Sequence, residues 1–229
     1  MRRFVVATSI ALLVGCGGNA RDQSAQGAQG AQGAQRAPRA QTSNEKPRIV
    51  FLGDSLTAGL GLPTDQSFPS LIGKKLEARG LDYEVINAGV SGDTSAGGVR
   101  RLDWSLGGDV KVLIVALGGN DALRGLPPSD LRKNLATILE RAREKKITVI
   151  LAGMEAPPNN GPDYTREFRD VYEQLAAEYK VRLIPFLLQG VAGDASLNQA
   201  DGIHPNTRGA EIVAELIWKE LEPALRRPS

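Results

Sequence analysis

The sequence is poor in the two residue types that most often bind transition metals. Its 229 residues include one cysteine, Cys16, and one histidine, His204. A single cysteine cannot form an intramolecular disulfide, and one imidazole does not build the common zinc sites. A glycine-rich phosphate-binding motif with a lysine is also missing. We therefore expect no metal and no other cofactor.

An excess of charge of one sign is missing as well. The formal net charge is +2, which gives no electrostatic reason to expect a nucleic-acid partner. The mostly apolar stretch at 4–14 is too short to cross a bilayer as a permanent helix. With 41% apolar and 24% charged residues, the composition indicates one globular domain of ordinary size, for which we expect a monomer.

The first residues predict an export signal rather than part of the fold. Arg2 and Arg3 precede the apolar stretch, and Leu-Val-Gly-Cys at 13–16 follows it. This tetrapeptide resembles a bacterial lipobox, which implies cleavage after residue 15 and acylation of Cys16. Gly17 rather than aspartate comes next, and by resemblance to enterobacterial lipoproteins this indicates an outer-membrane anchor, with the domain on the periplasmic or surface face. An ordinary signal peptide with an incidental cysteine is the alternative.

Residues 16–46 predict a lipidated cysteine followed by a flexible spacer. The segment is rich in Ala, Gln, Gly, Ser and Arg, repeats Ala-Gln-Gly between Ala25 and Gln35, and lacks bulky apolar residues. Such a composition cannot bury enough surface to offset the entropy of ordering. As a random coil the spacer would extend roughly 30 Å, enough to hold a domain clear of a membrane. We expect the folded domain to cover 47–229.

Short apolar runs alternate with segments of helical apolar spacing throughout this domain. The predicted strands are 49–52, 83–86, 111–117, 147–151 and 181–185. The predicted helices are 68–79, 94–106, 129–146, 164–179 and a last helix that follows residue 206. Ser129 is expected to cap the third, and Asn206 or Thr207 the last. The last helix is expected to turn Ile212, Val213, Leu216 and Ile217 inward. This alternation favours an α/β protein, a three-layer α/β/α sandwich with a parallel sheet of about five strands.

Four unusual sequences follow predicted strands or lie in the last loop. They are Gly-Asp-Ser-Leu at 53–56, the turn-rich 87–94, Gly-Gly-Asn-Asp at 118–121 and Asp-Gly-Ile-His at 201–204. Because ligands of open α/β sheets bind at the carboxyl ends of the strands, all four can meet at one edge. A serine there is a nucleophile only if a base and oxyanion donors lie beside it.

The candidate base is His204, since no other imidazole exists. An ordinary histidine pKa of about 6.5 suits proton transfer near neutral pH. Asp201, three residues earlier, can hold one ring nitrogen and leave the other facing Ser55. A lone histidine is more often structural, but the polar Asp-x-x-His-Pro setting favours the catalytic interpretation. The candidate oxyanion donors are the N–H groups of Ser55 and Gly89 and the side-chain amide of Asn120.

Together these blocks resemble the SGNH hydrolases, also called GDSL hydrolases. Gly53-Asp54-Ser55-Leu56 is similar to the first block, Gly89 to the glycine of the second, and 118–121 and 201–204 to the third and last. The longer strings at 91–95 and 118–125 are similar to the bacterial thioesterase I, lysophospholipase and arylesterase branch. The resemblance spans roughly 48–221. It implies the flavodoxin-like SGNH fold and a serine esterase with the triad Ser55, Asp201 and His204.

The resemblance also implies the substrate class: short- to medium-chain acyl esters, aryl esters, thioesters or lysophospholipids. Leu123, Met154 and Pro157 lie on loops near the predicted site and either line an acyl groove or only pack their own loops. A carbohydrate O-acetylesterase with the same residues and a noncatalytic lipoprotein that binds a partner remain as alternatives. The serine does not lie in a Gly-x-Ser-x-Gly elbow, which disfavours an α/β-hydrolase fold.

Overall fold

A five-stranded parallel sheet forms the centre of the structure, a computed structural model that describes residues 45–226. The strands are β1 (Arg48–Gly53), β2 (Glu84–Gly89), β3 (Val110–Ala116), β4 (Thr148–Ala152) and β5 (Arg182–Ile184). Their order is β2-β1-β3-β4-β5, and every neighbouring pair is parallel. The expected export signal, Cys16 and most of the spacer lie outside the described residues.

Helices cover both faces of this sheet, which confirms the predicted three-layer fold. They are α1 (Ser55–Ala58), α2 (Phe68–Ala78), α3 (Ser95–Arg100), α4 (Leu102–Ser105), α5 (Gly119–Leu123), α6 (Pro128–Glu144), α7 (Pro162–Tyr179) and α8 (Thr207–Leu225). Helix α2 packs with α8, whereas α6 packs with α3 and α7. Across residues 45–226, none of these helices has both the length and the apolar composition to span a bilayer.

The central strands are buried because helices lie on both of their sides. All four residues of the run 49–52 in β1 are fully buried, and in β3 only Lys111 is exposed. The near-continuous apolar runs that predicted these strands are therefore explained by burial on both faces. Since β1 lies second in the sheet and β3 third, the loops that follow them emerge near the middle of the carboxyl edge.

Three details of the predicted helices are corrected. Helix α6 begins at Pro128 with Pro127 as its N-cap, so Ser129 lies inside the first turn; proline suits that position because it has no N–H to leave unpaired. The predicted helix at 94–106 divides at Arg101 into α3 and α4. In α8, Ile212 is 37% exposed rather than turned inward. Asn206 does cap α8, accepting a hydrogen bond from the Gly209 N–H.

Candidate active site

The turn after β1 presents Ser55 at the carboxyl edge of the sheet. Gly53 must be glycine, because a Cβ there would lie 1.9 Å from Thr57 Oγ1 and 2.9 Å from the Ala116 carbonyl oxygen. The buried Asp54 side chain caps α1 by accepting from the Leu56 N–H at 3.0 Å. Ser55 thus becomes the first residue of α1, where a backbone N–H has no acceptor within the helix.

The structure brings His204 and Asp201 to this serine. His204 Nε2 lies 2.9 Å from Ser55 Oγ, and His204 Nδ1 lies 2.7 Å from Asp201 Oδ2. The other oxygen of Asp201 accepts from the N–H groups of His204 and Ile203 at 3.0 and 2.9 Å. These two bonds, that of His204 first, lower the pKa of Asp201 to about 2. An ionised Asp201 fixes the Nδ1–H tautomer and leaves Nε2 as the acceptor for the serine proton.

The loop that carries the histidine is tied to the serine turn. The Gln199 N–H donates to the His204 carbonyl at 2.7 Å. The Gln199 side-chain amide donates to the Leu60 carbonyl at 2.7 Å and to the Pro205 carbonyl at 3.0 Å. Gln199 therefore joins the segment after α1 to the segment around His204, although they lie far apart in the chain.

Asn120 lies beside Asp54 on the first turn of α5. Its Nδ2 donates to Asp54 Oδ2 at 3.3 Å, which leaves the second N–H of the amide for another acceptor. Burial raises the pKa of Asp54 to about 6, and the hydrogen bonds from Leu56 and Asn120 lower it only in part. The preceding Gly118 has φ of 122°, and a Cβ there would lie 2.0 Å from the Tyr172 hydroxyl oxygen. Glycine thus permits the sharp turn that delivers Asn120.

Gly89 has a different place from the one expected. It is the last residue of β2, and its N–H already donates to Asn87 Oδ1 at 3.0 Å. A Cβ on Gly89 would lie 2.2 Å from the Ala58 nitrogen, so glycine is needed here for the close packing of β2 against α1. This geometry corrects the prediction that Gly89 offers a free oxyanion donor.

Gly92 is the residue that sequence reasoning missed in the same loop. It has φ of 81°, and its N–H has no acceptor among the described residues. Its carbonyl accepts from Arg124 Nη2 at 2.7 Å, which ties the loop to the end of α5. The signal was present in Ser-Gly-Asp-Thr at 91–94, where a second glycine lies among turn-forming residues.

Arg101 was also missed, and it holds the ends of β1 and β2 together. Its Nε donates to Asp93 at 2.6 Å, Nη1 to the Ala88 carbonyl at 2.6 Å and Nη2 to the Gly53 carbonyl at 2.7 Å. The side chains of Arg101 and Asp93 are 17% and 16% exposed. One guanidinium therefore fixes both strand ends and the loop that follows β2.

Comparison with known proteins identifies the family of the chain. Residues 51–212 match the model of the GDSL-like lipase/acylhydrolase family. The chain belongs to this family. The match covers most of the described residues and confirms the predicted fold class and the predicted hydrolase of ester bonds.

Three curated relatives share most of their length with this hydrolase. Esterase TesA of Pseudomonas aeruginosa is 45% identical over 77% of this chain and 89% of its own. An arylesterase of Vibrio mimicus is 36% identical over 78% and 90%. Thioesterase 1/protease 1/lysophospholipase L1 of Escherichia coli is 34% identical over 79% and 86%. The crystal structure of esterase EstA from Pseudoalteromonas sp. superposes with a TM-score of 0.75 at 30% identity, covering 80% of this hydrolase and all of EstA.

The predicted acyl-contacting residues lie apart from the depression beside the serine. That shallow depression is lined by Ser55, His204 and apolar residues that include Leu56, Leu60, Leu62 and Phe68. Met154 is buried, with its Cε 3.4 Å from the position of a Cβ on Gly119, so it packs beneath α5. Pro157 is half-buried and Leu123 is exposed, and neither lines the depression. Val90 and Ile203 are further exposed apolar side chains on the loops of this edge, and Leu60 is exposed as well.

Among residues 45–226, no group of three or more His, Cys, Asp or Glu side chains is placed to hold a metal ion.

Proposed function

We propose that this hydrolase is a serine esterase that works through an acyl-enzyme. Ser55 is the nucleophile, His204 the general base and Asp201 the group that orients the imidazole. The observation that carries this proposal is the chain of contacts from Asp201 to His204 Nδ1, at 2.7 Å, and from His204 Nε2 to Ser55 Oγ, at 2.9 Å. The distance between Nε2 and Oγ allows a direct proton transfer, and the distance between Nδ1 and Asp201 holds the imidazole in the orientation that this transfer needs.

The reaction proceeds in two halves. Ser55 Oγ bonds to the ester carbonyl carbon while its proton passes to His204 Nε2. The tetrahedral intermediate then collapses, the bond to the leaving oxygen or sulfur breaks, and His204 returns the proton to the leaving group. In the second half a water gives a proton to His204 and bonds to the acyl carbon. The bond from that carbon to Ser55 Oγ then breaks, His204 returns the proton to Oγ, and the carboxylic acid is released.

The oxyanion accepts hydrogen bonds from three donors in this proposal. They are the Ser55 N–H, the free N–H of the Asn120 amide and the Gly92 N–H, which replaces Gly89. Each of these donors is fixed before substrate arrives: Ser55 by the Asp54 cap, Asn120 by its bond to Asp54, and Gly92 by its bond from Arg124. Preorganised donors of this kind stabilise the charge that develops in the transition state.

The relatives' names and the apolar edge together suggest the substrates. The relatives are named as an esterase, an arylesterase and a thioesterase/lysophospholipase. Leu60, Leu62 and Phe68 beside the nucleophile suit an apolar acyl or aryl group. We therefore include aryl esters, short- to medium-chain acyl esters, thioesters and lysophospholipids as substrates. A preference that falls steeply from p-nitrophenyl acetate to longer esters would instead favour an O-acetylesterase.

Labelling with a fluorophosphonate probe tests the nucleophile. The wild-type chain should form a covalent adduct, and Ser55→Ala should form none. Ser129→Ala, an exposed serine inside α6, is the matched control and should label like the wild type. Labelling of Ser55→Ala at the wild-type level would refute the assignment and indicate that another residue is the nucleophile.

Export and lipid anchoring form a separate part of the proposal. The leader at 1–15 and the lipobox-like 13–16 support cleavage and acylation of Cys16, and attachment to the cell envelope. Radiolabelled palmitate should be incorporated by the wild type in bacterial cells and not by Cys16→Ser. Equal incorporation, or none in either, would contradict the anchor while leaving the esterase proposal unaffected.

A further inference from the structure

A large cleft lies at the edge of the sheet opposite the catalytic serine. Its volume is about 1350 Å³. Residues that precede or open the strands line it, among them Pro47 before β1, Tyr83 before β2, Asp109 before β3, Ile147 before β4 and Val181 before β5. The ends of α6, α7 and α8 complete the rim. We call this surface the amino-edge face.

The amino-edge face carries an excess of positive charge. Six cationic side chains line the cleft against one carboxylate, Asp109; they are Lys111, Arg143, Lys145, Lys146, Lys180 and Arg182. Lys111 pairs with Asp109 at 2.7 Å, and Arg182 pairs with Glu220 at 3.1 Å. The other four have no carboxylate within ion-pair distance in the part of the chain that the structure describes.

The acidic residues of the neighbouring helices α6 and α7 offset only part of this charge. Glu140 accepts from the Tyr179 hydroxyl, and Glu178 pairs with Arg132. Glu144 is exposed between Arg143 and Lys145, and Glu140 has only the neutral Tyr179 hydroxyl as its described partner, so both acids of α6 keep an unpaired negative charge. Four cations against these two acids leave the face positive, although the chain as a whole is nearly neutral.

An exposed tryptophan lies beside the same face. Trp104 in α4 is 77% exposed, whereas Trp218 is 5% exposed. Leu106, two residues after Trp104, lines the cleft. A large apolar ring with a polar N–H is suited to the boundary between water and lipid headgroups. An exposed Trp next to a group of unpaired cations therefore indicates a headgroup surface rather than a small soluble anion.

We propose that the amino-edge face docks on an anionic phospholipid surface. The path of the chain supports this occupant, since the segment that precedes the domain enters at Pro47, which lines the cleft. The segment 16–44 does not suit the cleft itself, because it is basic like the face. It contains Arg21, Arg36 and Arg39 against Asp22 alone. A negatively charged membrane attracts both the segment and the face.

Docking in this orientation places the catalytic edge on the far side of the sheet. The strands run from the amino-edge face to Ser55, and a strand of this length spans on the order of 20 Å. Ester substrates would then reach the serine from the aqueous side. The docking proposal depends neither on acylation of Cys16 nor on the esterase proposal, because its readout is lipid binding.

Vesicle binding tests the proposal with the full-length chain carrying Cys16→Ser, which cannot be acylated. Vesicles of phosphatidylcholine alone are compared with vesicles that also contain phosphatidylglycerol. We expect co-sedimentation with the anionic vesicles, release by high salt, and a blue shift of fluorescence that Trp104→Phe abolishes. Each cation at such a surface strengthens binding about fivefold, so Lys145→Gln with Lys180→Asn should weaken it about 25-fold.

The matched control removes the same charge elsewhere. Lys133→Gln with Arg208→Gln, both exposed and outside the cleft, should bind like the parent chain. Asn is chosen at position 180 because Lys180 has φ of 54°, which asparagine tolerates. Equal weakening in the two double variants, equal binding to neutral vesicles, or unchanged Trp104 emission on binding would each overturn the proposal. Circular dichroism and ester hydrolysis verify that every variant is folded.

Discussion

Replacement of Arg101 by lysine tests whether one side chain holds the catalytic edge together. Lysine keeps the positive charge but presents a single ammonium, which cannot donate in three fixed in-plane directions as the guanidinium does. Arg101 bonds Asp93 and the carbonyls of Ala88 and Gly53. If lysine keeps the pair with Asp93, the two carbonyl bonds are lost.

The expected magnitude follows from those two bonds. A hydrogen bond to a charged group contributes about 1.5 kcal/mol or more, so Arg101→Lys should lower the free energy of unfolding by about 3 kcal/mol. Because Gly53 leads directly into the Ser55 turn, kcat should fall at least about tenfold through misplacement of the nucleophile, with a smaller change in KM.

Urea unfolding followed by circular dichroism, together with hydrolysis of p-nitrophenyl butyrate, measures both effects. The neighbouring Arg100→Lys is the control, since Arg100 is exposed and makes no ion pair within residues 45–226. It should stay within about 0.5 kcal/mol of the wild type. A similarly small change for Arg101→Lys would refute the role of Arg101 in fixing the strand ends.

Three further predictions address the site. Asn120→Ala should reduce kcat by about 10²–10³ with little change in stability; full activity would exclude it as an oxyanion donor. Because the pKa of Asp54 is raised to about 6 in the folded chain, its contribution to stability is present below pH ~4 and is lost as pH rises through about 6. The free energies of unfolding of the wild type and Asp54→Asn, measured at several pH values, should therefore diverge in this window. Parallel pH dependences would contradict this expectation. Gly89→Ala should destabilise the fold by about 2 kcal/mol or more through the clash with Ala58. Gly73→Ala in α2, where a Cβ would lie at an ordinary contact distance of 3.8 Å from Val85, should be neutral or stabilising.

The strands of the sheet were predictable because local apolar patterns in the sequence indicate which strands are buried. The apolar run before Gly53 and the run at 111–117 can be read as buried strands without knowledge of their neighbours. Ser55, Asp201 and His204 were candidates because each follows a strand or lies in a polar loop of distinctive composition. Their expected proximity follows from parallel strand topology, and the described contacts place them together.

The interactions that were missed depend on partners distant in the chain. Whether Gly89 or Gly92 keeps a free N–H depends on the Asn87 side chain and on the packing of β2 against α1. The predicted helix at 94–106 is interrupted at Arg101, whose guanidinium donates hydrogen bonds to carbonyls at two strand ends. The helical pattern of the sequence does not indicate these contacts. Met154 was expected either to line an acyl groove or to pack its own loop, and its burial depends on tertiary packing that the sequence does not specify.

The wide separation of Ser55 and His204 along the chain has a consequence for folding. Their contact spans 149 positions, and the histidine loop is anchored just before α8, which packs on α2 from the first part of the domain. Long-range contacts of this kind form late, because other interactions must first compensate for the entropy that is lost when a large loop closes. Hydrolysis should therefore start only when the final helix has docked, and recovery of enzyme turnover during refolding measures the last step rather than the formation of the sheet.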